Sequence, residues 1–423
     1  MKYLSLYRII FVLMILVLLY NLGSGFVDYF MGKYSYKDDI ISEWLINYEG
    51  GFVRRGLTGQ ILFFFYQLTP FPVADVIVCL FFLGVCLLTV LLVWMFVTKG
   101  WSLFILPFPL CLYSFLGYRF LISRRDAWML LLASLFFMLY KKYIQKNSFT
   151  LLALMNLLFV LGMLIYESII FFIFPIVFSH FLYKIIQKKG LIKGGLCAMI
   201  MWLPSLFMPF LIFRFAGTSE TTTLMVQSWS DLFYRYPMCE PFNTEDVYIF
   251  DWIGQPLLEH IKGVFYVGWS SYAIGIIPRF IFNLYLFVAI YYLITRVNVI
   301  NLNYYRLHSY DSTQLSNIVI IQFLFLMPYM LLLSCDMARN ITYWTISSLI
   351  FFFFFGNSSF FPRKLSMISE KIQKQIQGHH VLNTPFTYLA VLLTLPLEFH
   401  GGGIKMLIPI IPQELKHIVK LLL

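Results

Sequence analysis

The sequence predicts an all-α, polytopic transmembrane bundle of about 10–12 spans with a large external loop. Three observations carry that prediction. Of 423 residues, 60% are hydrophobic and only 12% are charged, more apolar surface than a soluble domain can hide. Apolar runs close to the roughly 17–25 residues needed to cross a bilayer recur along the chain. Loops rich in lysine and arginine alternate with loops that hold most of the acids. The net charge of +11 therefore reads as topology and not as an affinity for nucleic acid.

The elements follow in order. The basic start and apolar core of "MKYLSLYRIIFVLMILVLLY", without a small-x-small cleavage site, give a retained first helix over 8–27. Residues 28–59 form an external loop, and the apolar piece 57–68 is too short to cross, so it is interfacial or re-entrant. Further spans fall at 73–97, 103–117, 127–140, 149–166, 168–183 and 196–213. A long external loop, 216–262, mixes aromatics, prolines and acids like a folded cover over a substrate. The remaining spans are 274–293, 318–333, 341–355 and 386–397; the end, 404–423, is a last span or an interfacial helix. All of this is one integral membrane domain, 1–423.

Orientation comes from "KKYIQK" (141–146), "KIIQKKGLIK" (184–193) and "PRKLSMISEKIQK" (362–374), basic and nearly free of acid. The positive-inside rule puts these loops and the N-terminus in the cytoplasm. The unusual polar residues then collect on the external face. Six cysteines, Cys79, Cys86, Cys111, Cys197, Cys239 and Cys335, form no CxxC pair, so neither a disulfide framework nor a zinc site is suggested. The seven histidines show no metal-ligand spacing, and HExxH, GxSxG, Walker and GxGxxG patterns are absent. No metal or soluble cofactor is implied.

Four polar clusters stand out. In "GGFVRRGLTGQ" (50–60), Arg54 and Arg55 lie on the external side, where positive charge needs a reason. Guanidinium forks match phosphate or pyrophosphate, and the flanking glycines let a backbone approach a ligand; the alternative is a pair of headgroup anchors. "YRFLISRRDAWMLLL" (118–132) offers Arg119, Arg124 and Arg125 in a short turn, with Asp126 opening a helix where a carboxylate suits the dipole. In "GMLIYESIIFFIFP" (162–175), Glu167 sits at the tip of a helical hairpin in an apolar stretch. It is either a general base or the partner of a buried arginine that ties two helices together. "LLSCDMARNITYW" (332–344) sets Asp336 and Arg339 three residues apart at the outer end of a span. Clusters from separate helices, all facing one side and richer in arginine than in acid, fit a cleft for a phosphorylated lipid.

In their order, "NYEGGFVRRGLTG", "SRRD", "YES" and "CDMARN" resemble motifs of the bacterial multi-pass proteins of surface-polysaccharide gene clusters taken as Wzy-type O-antigen or capsule repeat-unit polymerases. The resemblance spans about 47–340 and departs where a histidine is expected at Tyr166, and where a glycine and a tryptophan are expected at Ala338 and Asn340. It implies a glycosyltransferase of the inner membrane, N-terminus cytoplasmic and active face periplasmic. Donor and acceptor would be undecaprenyl-pyrophosphate-linked oligosaccharides within the lipid bilayer, without nucleotide sugar, and a chain-length regulator would be a partner. Arginines Arg54, Arg55, Arg119, Arg124, Arg125 and Arg339 would bind the pyrophosphate. Glu167, or Asp126 or Asp336 in its place, would take the acceptor proton. Two alternatives remain. One is a GT-C-like glycosyltransferase using a polyprenyl-phosphate sugar, with Asp38, Asp39 and Glu43 of the first external loop as its acids. The other is a lipid-linked oligosaccharide flippase.

Overall fold

The computed structural model describes residues 38–69, 71–99, 125–215, 217–235, 253–254, 276–296, 312–332, 337–356, 363–382, 396–400 and 403–406, with a few isolated positions besides. The described fold is helical, with one short β-hairpin near the end. It divides into two compact units: Ser35–Val90 with Phe120–Gly263, and Leu91–Arg119 with Val264–Leu423 and the N-terminal segment.

The first unit begins with α1 (Asp38–Leu45) and α2 (Gly56–Leu68), followed by α3 (Val73–Lys99), whose last turns belong to the other unit. Next come α4 (Asp126–Lys146), α5 (Phe149–Ile165), the single turn α6 (Ile169–Phe172) and α7 (Phe174–Lys189). It ends with α8 (Leu191–Met201), α9 (Leu203–Arg214) and α10 (Ser219–Arg235). The 13 residues of α2 rise about 20 Å, short of a hydrocarbon core of about 30 Å. One face of α2, Gly56, Gly59, Leu62, Phe63 and Tyr66, is buried. The other presents Ile61, Phe64, Phe65 and Leu68, all exposed, at the spacing of one helical stripe.

Much of the first expected external loop and part of the long one fold together. α10 lies inside 216–262, and its Met225, Trp229 and Leu232 are buried against Trp44, Leu45 and Ile46 from the end of α1 and Leu62, Phe63 and Tyr66 of α2. The spacing of four and three residues is the helical period that the mixed composition of the segment obscured. The Trp229 indole donates to the carbonyl of Leu45 (2.7 Å), and the Asn47 amide donates to Ser228 Oγ (3.0 Å). The Thr218 hydroxyl caps α10 by accepting from the amide of Thr221 (3.2 Å). The start of this segment is thus a packed helix.

The expected span 196–213 is two helices bent by 65° at Trp202. Pro204 is the cause: it has no N–H to donate, and its ring crowds the carbonyl four residues earlier. The bend is held from α5, where the Asn156 amide donates to the carbonyl of Met201 (3.1 Å) and its oxygen accepts from Ser205 Oγ (2.7 Å). The expected span 168–183 is also interrupted, at Ile173, two residues before Pro175.

The second unit contains α11 (Ile276–Arg296), α12 (Ser312–Leu332), α13 (Met337–Phe355) and α14 (Arg363–Gly378). Phe287, Phe323 and Trp344 stack across α11, α12 and α13, with Phe287 and Phe323 centroids 4.4 Å apart. Hydroxyls and amides join the helices as well: Gln322 donates to Ser347 (3.0 Å), and Gln373 of α14 donates to Ser316 (3.1 Å). The basic loop 362–374 is therefore helical and docked. Strand β1 (Pro396–His400) pairs antiparallel with β2 (Gly403–Met406). This hairpin replaces the end of the expected span 386–397 and the helical start of 404–423.

Three helices are long and apolar enough to cross a membrane among the described residues: Val73–Met95, Asp126–Lys146 and Gln314–Leu331. The bent pair α8–α9 makes a fourth if it counts as one span. Such helices are what a multi-pass membrane protein requires. The expected 10–12 spans are not reached among the described residues: α5 has 17 residues, and the run 196–213 is bent at Trp202. The spans expected at 8–27 and 103–117 lie outside those residues, apart from isolated positions.

Close backbone approach sets the junction of α1 and α2. A Cβ on Gly59 would collide with the backbone carbonyl of Ile46, which cannot swing aside. We expect Gly59→Ala to destabilise the folded protein by about 1–3 kcal/mol. Gly195→Ala, in α8 with open space around it, should be neutral or slightly stabilising. Thermal unfolding of the two detergent-purified variants checks this pair.

Candidate functional site

The site is built where α2 begins. A turn closed by Gly51 N–H donating to the Tyr48 carbonyl (2.9 Å) reverses the chain after α1, and Gly51 takes φ of 111° there. Gln60, one turn into α2, grips the turn: its oxygen accepts from Tyr48 N–H (2.7 Å) and its amide donates to Glu49 (2.9 Å). Gly56 lies so close to the Tyr48 ring that a Cβ would not fit. Three of the motif's glycines, Gly50, Gly56 and Gly59, therefore press against the chain itself. The close approach read from them is protein to protein.

Arg55 is the residue just before α2, with φ 66° and ψ 9°, in the left-handed region. That conformation costs an arginine about 1–2 kcal/mol, so the surroundings must hold it. They do so through Glu167: Arg55 Nε donates to Oε2 (2.7 Å) and Nη2 to Oε1 (2.5 Å), a side-on bidentate fork. The remaining nitrogen, Nη1, donates to Glu43 Oε1 (3.2 Å). The guanidinium also lies 4.5 Å from the Tyr166 ring centroid. Glu167 reaches Arg55 because α5 ends at Ile165 and the chain turns through Glu167 into α6.

Arg125, the residue before α4, is only 2% exposed. Its Nη1 makes two long contacts, 3.4 Å each, to the Arg55 carbonyl and to Thr58 Oγ1. Its Nη2 stands 4.0 Å from Glu43 Oε1. Neither Nε nor Nη2 has a hydrogen-bond acceptor among the described residues. The buried hydroxyls of Ser42 and Ser168, chain neighbours of Glu43 and Glu167, are without a partner there too.

The electrostatics follow from this geometry. Burial pushes the Glu167 carboxyl up, but the charge and hydrogen bonds of Arg55, with Arg54 adding, outweigh it and hold the pKa at about 2. Burial works against the Arg55 charge, but Glu167 first, with Tyr166 and Glu43, raises the group well above its ordinary value. Arg125 is lowered, by burial first and by the Arg55 charge beside it, against the pull of Glu43.

Of the residues expected from sequence, the fold brings Arg55, Arg125 and Glu167 into one cluster. Arg54 is buried at 4% exposure, and its charge acts on Glu167. Asp126 is buried at the first position of α4. Arg119, Arg124 and Asp336 lie outside the described residues; Arg339 is in the first turn of α13, in the other unit, with only its backbone described. Two members of the cluster were not foreseen in their present roles. Glu43 bridges both arginines, and Tyr166 stacks on Arg55. A signal for Glu43 existed: "IISEWL" sets one acid among apolar neighbours on a short helix. Among the described residues no group of histidine, cysteine and acid side chains is placed to hold a metal.

No protein-family model matches the chain, and no curated protein or solved structure is significantly similar to it.

A depressed carboxylate contributes stability above its ordinary pKa of 4.5 and loses it as the pH falls toward about 2. Removing the partner, as in Glu167→Ala, should cost about 3–5 kcal/mol at neutral pH. In thermal unfolding across pH, the gap between wild type and Glu167→Gln should be flat above pH 5 and narrow below about 4.5.

Proposed function

We propose that the protein polymerises undecaprenyl-pyrophosphate-linked oligosaccharide repeat units at the periplasmic face of a bacterial inner membrane, for O-antigen or capsule. The observation that carries this reading is the meeting of three separated motifs in one buried cluster: "FVRRG" through Arg55, "SRRD" through Arg125 and "YES" through Tyr166 and Glu167. The cluster lies at the start of α4, and Lys141, Lys142 and Lys146 lie at the other end. Over its 21 residues α4 rises about 30 Å from Asp126 to Lys146, the thickness of a bilayer core. Arginines at one end and lysines at the other suit a site on the non-cytoplasmic face. The full count of 10–12 spans and a GT-C-like arrangement belong to this proposal as well.

In the reaction, the acceptor hydroxyl attacks the anomeric carbon of the donor glycan. The bond from that carbon to the pyrophosphate oxygen breaks, and negative charge builds on the leaving undecaprenyl pyrophosphate. Buried guanidinium groups stabilise that charge far better than water-exposed ones would. The acceptor proton must pass to a carboxylate. Glu167, with both oxygens held by Arg55 and a pKa of about 2, is a weak base in this geometry. Its contribution is to hold Arg55, which favours Asp126, buried and next in sequence to Arg125, as the proton acceptor.

One observation favours the second reading, a GT-C-like transferase using a polyprenyl-phosphate sugar: Glu43 of the first external loop stands among the arginines. For a flippase, charge is expected along a central path; the described cluster sits at helix ends. Deletion of the gene in its host separates the three. A polymerase leaves single repeat units in place of a ladder on a glycan gel, a transferase loss truncates the unit, and a flippase loss traps intact units on the cytoplasmic side. Complementation with Arg125→Gln should lower polymer yield by about 100-fold or more. A full ladder from that variant, at wild-type protein level, would sink the proposal.

A further inference from the structure

Arg55 and Arg125 present the same chemical edge to different fates. The Nε–Nη2 edge of Arg55 is filled by both oxygens of Glu167. The Nε–Nη2 edge of Arg125 carries no hydrogen bond among the described residues, although the side chain is 2% exposed. A buried guanidinium with an empty fork is costly, because neither water nor protein replaces the lost hydration. Glu43 Oε1 stands 4.0 Å from Nη2 and is hydrogen-bonded to Arg55 instead (3.2 Å). One carboxylate oxygen thus serves two cations and satisfies the second poorly.

From this arrangement we infer that the Nε–Nη2 edge of Arg125 is the docking fork for a phosphate group, and that Glu43 is a resident counter-ion that yields to it. This rests on the reading of the cluster as an anion site and divides its labour. Arg55, saturated by Glu167 and Glu43, is a structural latch. Arg125 is the cation with coordination to spare. A terminal phosphate offers the paired oxygens that fit a guanidinium edge, and more acceptors than one carboxylate oxygen. As the phosphate arrives, Arg125 exchanges a 4.0 Å ion pair for two charge-assisted hydrogen bonds, and Glu43 keeps Arg55.

The test is equilibrium binding of inorganic pyrophosphate and of farnesyl pyrophosphate to the full-length protein in detergent, read by the shift in thermal unfolding and by calorimetry. Arg125→Lys keeps the charge and loses the fork, so binding should weaken about 10-fold or more; Glu43→Gln should tighten it about 10-fold. If Glu43→Gln does not fold, Glu43→Asp, which draws the carboxylate back by one methylene, should tighten binding by a smaller factor. Tight binding of both probes marks a phosphate site that ignores the lipid; binding of the farnesyl compound alone marks a lipid-headgroup site, and either supports the fork. No binding of either probe, or Arg125→Lys binding as well as wild type, overturns it. The outcome is separable from the polymerase reading. A glycan ladder lost on gene deletion, together with no gain from Glu43→Gln, leaves the polymerase and removes the counter-ion exchange. The converse result leaves a phosphate site with another activity.

Discussion

The two hydrogen bonds between Arg55 and Glu167 hold the polar side of this fold together. They join residues 112 positions apart, fasten the start of α2 to the hairpin between α5 and α6, and keep an arginine in a left-handed conformation it would not choose. Each charge would be costly alone in an apolar environment, and each makes the other tolerable. The Glu43 contact and the stacking of Tyr166 depend on the guanidinium plane that this fork sets. The long contact from Arg125 to the Arg55 carbonyl depends on the same backbone geometry.

Around that latch the construction is apolar. The end of α1, the inner face of α2 and the amphipathic α10 share one core, with Trp229 at once packing on Phe63 (5.1 Å between centroids) and capping α1 through its indole. The buried polar atoms near the site are supported by this rigid surround. Arg125 is itself buried beside the first turn of α4, against Thr58 of α2, the rigid setting that the proposed anion site would need.

The parts legible in the sequence were those governed by local rules. The short helix expected at 57–68 is Gly56–Leu68, and the helix opened by Asp126 begins at that residue. Arg54, Arg55, Arg125 and Glu167 stood out because charge in apolar surroundings is rare. Three features were hidden, each for a reason. α10 was masked by serines and threonines, whose caps and back-bonds make a helix look like a loop. The bend at Trp202 needed Pro204 to be weighed above the hydropathy around it. The role of Glu43 was out of reach of pattern alone, since its distances to Arg55 and Arg125 are products of tertiary packing across segments up to 82 residues apart.

The same packing has a consequence for biosynthesis. The chain leaves the ribosome from its N-terminus, so Arg54 and Arg55 are made more than 100 residues before Glu167, and α10 later still. The bond from Trp229 to Leu45 closes a separation of 184 residues. Until Glu167 is made, Arg55 has Glu43 of α1 as its carboxylate partner from the preceding segment. The cluster is built by contacts of high sequence separation, so it can close only after Glu167 and α10 have been made.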